Sequence, residues 1–140
     1  MTCRNGLLAI LALMLVAIAP MTAQRAEDRP TIEITGVPPA GQGGPGPRAE
    51  ISGKASGPDL RNLRIVVYAY AGDQWWVQPT AANPQTSIDA GSGKWVTDTH
   101  LGRTYAALLV RRSYKAPATT PSLPETGGDV LASDTVAGKR

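Results

Sequence analysis

The sequence predicts an all-β fold, a Greek-key β-sandwich of about seven strands preceded by an export signal. Three observations predict it. Short runs of β-branched and aromatic residues recur, each bounded by Gly, Pro, Asn or Asp. Two of those runs, Leu63–Tyr70 and Thr104–Val110, are apolar at successive positions, as central strands buried on both faces are. No segment after residue 23 combines helical spacing of apolar residues with capping residues at its ends.

Residues 1–23 read as a signal peptide. Arg4 supplies the positive start, Gly6–Ala19 is an almost unbroken apolar run, and small residues follow as far as Ala23. The run is shorter than the ~20 apolar residues of a membrane span, so no stable span is expected after cleavage. Two cut sites compete. Ala17-Ile18-Ala19 has the better pair of small residues but is followed by Pro20. Met21-Thr22-Ala23 leaves Gln24 as an open N-terminus and is favoured. The mature chain is then expected to be secreted or periplasmic. Cys3, the single cysteine, leaves with the signal, so no disulfide and no thiolate chemistry is expected. About 117 residues remain, enough for one packed core.

Residues 24–30 form a charged leader, and residues 31–140 form the sandwich domain. Thr31–Thr35 alternates with period two and reads as the first strand. Val37–Pro47 is a Gly/Pro loop, and Ala49–Ala55 is the second strand. Gly57–Asn62 turns into Leu63–Tyr70. Ala71-Gly72-Asp73 turns again, and Trp75–Gln78 is a short strand stopped by Pro79. Thr80–Ile88 is a loop with room for a short edge strand at Thr86–Ile88. Ala90–Gly93 turns into the strand Lys94–Thr99. Thr104–Val110 is the second central strand. A Pro/Thr-rich loop, Ala116–Gly128, leads to the closing strand Asp129–Val136.

One local feature sharpens the fold. Leu101-Gly102-Arg103-Thr104-Tyr105 places a tyrosine at the start of a central strand, just after a glycine-containing corner. This resembles the tyrosine corner of immunoglobulin-like and fibronectin-like sandwiches, in which the phenol bonds back to the corner backbone. Trp95, on the preceding strand, is expected to add bulk to the core.

Charge excludes one class of partner. The formal net charge of +3 falls to +2 once Arg4 is removed, and the basic residues are scattered, with Arg111-Arg112 and the terminal Lys139-Arg140 the adjacent pairs. A nucleic-acid binder should show a basic stripe or patch. None is visible, so no nucleic acid is expected.

Three motifs read as incidental. Gly41, Gly43 and Gly46 fit G-x-G-x-x-G, but the dinucleotide motif needs a helix opening at those glycines. Pro45 and Pro47 interrupt, and a strand follows. His100 is the single histidine, with Asp98 two residues earlier on the same strand face. Without a second histidine or a nucleophile elbow, a turn histidine bonded to a nearby carboxylate is the expected role. Leu123-Pro124-Glu125-Thr126-Gly127 matches the L-P-x-T-G sorting signal. Yet only residues 128–138, which include Asp129 and Asp134, separate it from Lys139-Arg140, against the ~20 apolar residues a span needs. No catalytic residue, no metal and no cofactor is expected.

The aromatic cluster is the candidate site. Tyr68, Tyr70, Trp75 and Trp76 lie close together, and strand neighbours point to opposite faces. Trp75 shares a side with Val77 and is assigned to the core. Trp76 shares a side with Gln78 and is assigned to the surface. An exposed Trp76 flanked by Gln78, Tyr70 and Asp73 would offer a flat apolar plate with hydrogen-bonding rims, suited to a sugar or a protein surface.

The segments Ile65-Val66-Val67-Tyr68-Ala69, Trp75-Trp76-Val77-Gln78-Pro79, Lys94-Trp95, Thr99-His100-Leu101-Gly102 and Tyr105-Ala106-Ala107-Leu108-Leu109-Val110 also carry a resemblance. Together they resemble a poorly characterised type of bacterial exported β-sandwich domain, an accessory module of secreted carbohydrate-active proteins. The resemblance spans roughly Ile51–Val130. It implies a carbohydrate-related role and carries no ligand site with it.

The expected function is therefore non-catalytic binding outside the cytoplasm, with glycan as the favoured ligand. The alternative is interaction with a protein of the cell envelope. If Tyr105, Ala107 and Leu109 face inward, then Ala106, Leu108 and Val110 make the outer face of a central strand apolar. Such a face needs a cover, supplied by Thr80–Ile88, by Ala116–Gly128 or by a partner.

Overall fold

The computed structural model describes residues 29–140. The expected signal peptide, its cut site, and most of the leader lie outside the described residues. The architecture is all-β, two antiparallel sheets in a sandwich-like arrangement. Eight strands are present among the described residues: β1 (Thr31–Gly36), β2 (Arg48–Ser56), β3 (Leu63–Ala71), β4 (Gln74–Gln78), β5 (Lys94–His100), β6 (Thr104–Arg111), β7 (Thr119–Thr120) and β8 (Val130–Ala137). A short 3-10 turn, Leu60–Asn62, precedes β3.

One sheet has the order β1-β2-β5 and the other β7-β4-β3-β6-β8. The chain changes sheet after β2, after β4 and after β5. Each expected strand is present within a residue or two of its expected ends. Two differences concern short edge segments. Thr86–Ile88 is not a strand, and only Thr86 bridges, to Ile65. β7 was not expected, because two threonines in a Pro-rich loop carry no alternation. Its pairing with Trp75 and Trp76 makes it a strand.

The main core lies between the sheets. Ile32, Ile34, Ile51 and Trp95 from the smaller sheet meet Ile65, Val67, Tyr105, Ala107 and Leu109 from the larger. Trp95 fills its space because its cross-strand neighbour is Gly53. A Cβ at Gly53 would run into the Trp95 ring and the Glu33 carbonyl.

The tyrosine corner is present. Tyr105 is fully buried, and its phenol oxygen accepts from Gly102 N–H at 2.9 Å and donates to the Pro39 carbonyl at 2.6 Å. The corner thus ties the start of β6 to the loop after β1. That loop is further held by Ala40 N–H to the Lys139 carbonyl at 2.8 Å.

The outer face of the larger sheet carries a second apolar cluster: Val66, Tyr68, Val77, Ala106, Leu108, Val110 and Val130. Its cover is the chain's own Ala116–Gly128 loop with the residues just before it. Tyr114, Ala116 and Leu123 pack on the cluster. Tyr68 Oη donates to the Pro117 carbonyl at 3.0 Å, and Val77 N–H donates to the Ala118 carbonyl at 3.0 Å. Gln85 Nε2 donates to the Arg112 carbonyl at 3.1 Å, which anchors the start of this strap. Leu123 of the sorting-like motif is therefore a half-buried packing residue.

Candidate functional site

The site begins with a hairpin. β3 and β4 are joined by Gly72-Asp73, both at positive φ, between the paired residues Ala71 and Gln74. That two-residue loop suits the right-handed twist of the strands. It sets the register in which Tyr70 faces Trp75 and Ala69 faces Trp76. Side chains alternate from there, and the four residues expected to form one site separate into two groups.

Trp76 and Gln78 lie on the face of β4 that looks toward the smaller sheet. That sheet has three strands against five, and its edge strand β5 meets β4 only sparsely, at the end where His100 reaches Gln78. A cleft of about 520 Å³ opens there, lined by Trp76, Gln78, His100 and Leu101, with Ala71 and Gly43 behind. Trp76 is 47% exposed, as expected, although it stands on the side that elsewhere forms the core. Trp76 Nε1–H donates to the Ala71 carbonyl at 2.9 Å across the hairpin. The indole is thus fixed, and its ring face remains available.

Tyr70 and Asp73 belong to the other group. Tyr70 lies on the outer face beside Trp75, with ring centroids 5.0 Å apart. The Arg103 guanidinium stands 5.9 Å from the Tyr70 centroid and 4.0 Å from Asp73. Both charged side chains are exposed, so that pair contributes little to stability. Trp75 is not in the inter-sheet core. It is half-buried, and it packs with Val77 on the second apolar cluster. Trp75 and Val77 do share a side, but two apolar faces exist, and alternation alone does not say which is which.

His100 also departs from expectation. Its partner is Gln78, not Asp98. Gln78 is 3% exposed, and its Oε1 accepts from both His100 N–H at 2.9 Å and His100 Nδ1 at 3.0 Å. Arg48 Nε donates to His100 Nε2 at 3.3 Å. Nδ1 thus faces an acceptor and Nε2 faces a donor, which orients the ring. Gln78 Nε2 donates to the Trp76 carbonyl at 3.2 Å. One side chain therefore links the end of β5 to β4 and forms the floor of the cleft. Asp98 instead stands opposite Glu50 on the exposed face of the smaller sheet.

The glycine-rich loop closes the cleft from above. Gly43 has φ +85, and a Cβ there would lie 2.6 Å from Ala71 Cβ. The glycine serves a left-handed backbone in close approach. Sequence reasoning missed the contributions of Gly43, His100 and Leu101. The local signals at Gly43 and His100, a Gly/Pro loop and a single histidine, do not point to Trp76, since the residues meet it only through long-range packing.

Among the described residues, no group of three or more His, Cys, Asp or Glu side chains is placed to hold a metal ion. No helix among them is long and apolar enough to cross a membrane. Burial raises the phenols of Tyr105 and Tyr114 above the usual range, each offset in part by a hydrogen bond. Burial, reinforced by Tyr114, raises Tyr68 well above it. These groups are structural and lie away from the cleft lining. No family model matches the chain, and no curated protein matches it.

Proposed function

We infer that this chain is an exported, non-catalytic binding module of immunoglobulin/fibronectin-like type, and that the cleft at Trp76 takes a glycan. The sheet composition supports the fold reading: first, second and fifth strands in one sheet, the remainder in the other, with a tyrosine corner opening β6. The signal-like N-terminus supports export.

The observation that carries the ligand reading is the state of Trp76. Its N–H is tied to the Ala71 carbonyl and its ring is half-exposed in the cleft. A fixed aromatic plate loses little entropy on binding and suits the C–H face of a pyranose. Hydroxyl groups would remain at the open mouth, near Thr80 and Thr119. The outer apolar face, which motivated the protein-interaction alternative, is covered by the chain's own strap. Binding of the wild type, Trp76→Ala and Trp75→Ala to a glycan panel tests the reading. Loss confined to Trp76→Ala supports it, and a wild type that binds no glycan overturns it.

A further inference from the structure

β5 is an edge strand, paired with β2 on one side only. Ala55 N–H donates to the Gly93 carbonyl at 2.7 Å, and the register continues from there with Gly53 opposite Trp95. In an antiparallel pair the bonding direction alternates. Odd-numbered residues of β5 therefore turn their backbone groups toward β2, and even-numbered residues turn theirs outward.

At both ends the outward groups are occupied. Asp89 N–H donates to the Lys94 carbonyl at 2.9 Å, and Ser92 Oγ accepts from Lys94 N–H at 3.2 Å. At the far end Gln78 Oε1 accepts from His100 N–H. Between them, the N–H and C=O groups of Val96 and Asp98 have no partner among the described residues. The side chains above this window are as unusual as the backbone. Val96 is 53% exposed, and with Trp76 it is one of two exposed large apolar residues among those described. Asp98 stands directly opposite Glu50, and neither carboxylate belongs to an ion pair there. Like charges directly opposite on a sheet are unfavourable.

We propose that the Val96–Asp98 edge receives an extended segment of a partner protein as an added antiparallel strand. The backbone supplies two donors and two acceptors. Running antiparallel, the segment meets Asp98 first and Val96 two residues later. Its pattern is therefore a basic residue, any residue, then an apolar residue. The basic side chain relieves the Glu50–Asp98 pair, and the apolar one covers Val96. A second copy of β5 does not fit, because it would have to continue past Val96 into the space that Asp89 occupies beside Lys94. This inference is independent of the Trp76 cleft.

The test is an NMR titration of the 15N-labelled protein with acetyl-Thr-Lys-Thr-Val-Thr-amide, and with the same peptide carrying Glu for Lys. The lysine peptide should shift the Val96 and Asp98 amides and bind at least tenfold more tightly than the glutamate peptide. Val96→Pro removes one outward donor without touching the β2 ladder, and should weaken binding at least tenfold. Asp98→Lys leaves the backbone intact, so the preference should reverse if the edge is used as proposed. Binding of a glycan at Trp76 should be unchanged in both variants. No shift at Val96 and Asp98 with either peptide overturns the proposal. So does an Asp98→Lys variant that keeps the wild-type preference, or a concentration-dependent dimer abolished by Val96→Pro.

Discussion

The phenol of Tyr105 donates to the carbonyl of Pro39, 66 residues earlier, at 2.6 Å. The same oxygen accepts from Gly102 N–H in a buried site. Two loops and the start of a central strand thus depend on one hydroxyl. Tyr105→Phe keeps the ring and leaves the Gly102 N–H unpaired. An unsatisfied buried donor costs about 1–3 kcal/mol. Urea melts should show that loss with an unchanged slope.

Gly53→Ala places a methyl group against the Trp95 ring and the Glu33 carbonyl. Overpacking of a filled core costs about 1–3 kcal/mol. Trp95→Ala should cost more, about 3–5 kcal/mol, through the cavity it leaves. The double variant should recover part of the Gly53→Ala loss, since the ring it collides with is gone. Thermal melts of the three variants check this.

Trp76→Ala removes one hydrogen bond and a half-exposed ring, a loss of roughly 1–2 kcal/mol. Its larger effect should be on glycan binding. Trp75→Ala, on the opposite face, should lower stability by loss of packing against Tyr70 and the outer cluster, with cleft binding retained. Paired melts and binding assays separate the two.

Leu123→Asp should destabilise the strap, because a carboxylate would be placed against the outer apolar cluster. The expected sign is a lower melting temperature with increased binding of a hydrophobic dye. Thr126→Ala, at an exposed position of the same motif, should change neither stability nor cellular location. A wall-linked form lost with that substitution would show that the motif is a sorting signal after all.

Alkaline pH should unfold the protein early. The phenols of Tyr68, Tyr105 and Tyr114 are all raised, chiefly by burial. In the unfolded chain a tyrosine ionises near pH ~10. A raised folded value means that the folded state holds its protons longer. Its contribution is complete below about pH 10 and is lost as pH rises toward the folded values. Denaturant midpoints should be level on the neutral side and fall above that point. Tyr68→Phe should flatten the fall.

The sequence by itself determined the strand content and the order of the strands along the chain. Period-two alternation and turn residues are local signals, and they placed the seven longer strands. The bond from Gly102 to Tyr105 was legible as well, because the two are three residues apart, whereas the second partner, Pro39, was not. Alternation placed Trp75 and Trp76 on opposite faces. Only the tertiary structure decided which face was which. The larger sheet is apolar on both sides, one closed by the smaller sheet and the other by the strap, and a pattern of side chains along one strand cannot distinguish two such covers. The cleft was likewise decided by topology. Its wall comes from Gly43, Trp76 and His100. They come from the loop after β1, from β4 and from the end of β5, and which of these lie together depends on how distant strands pair.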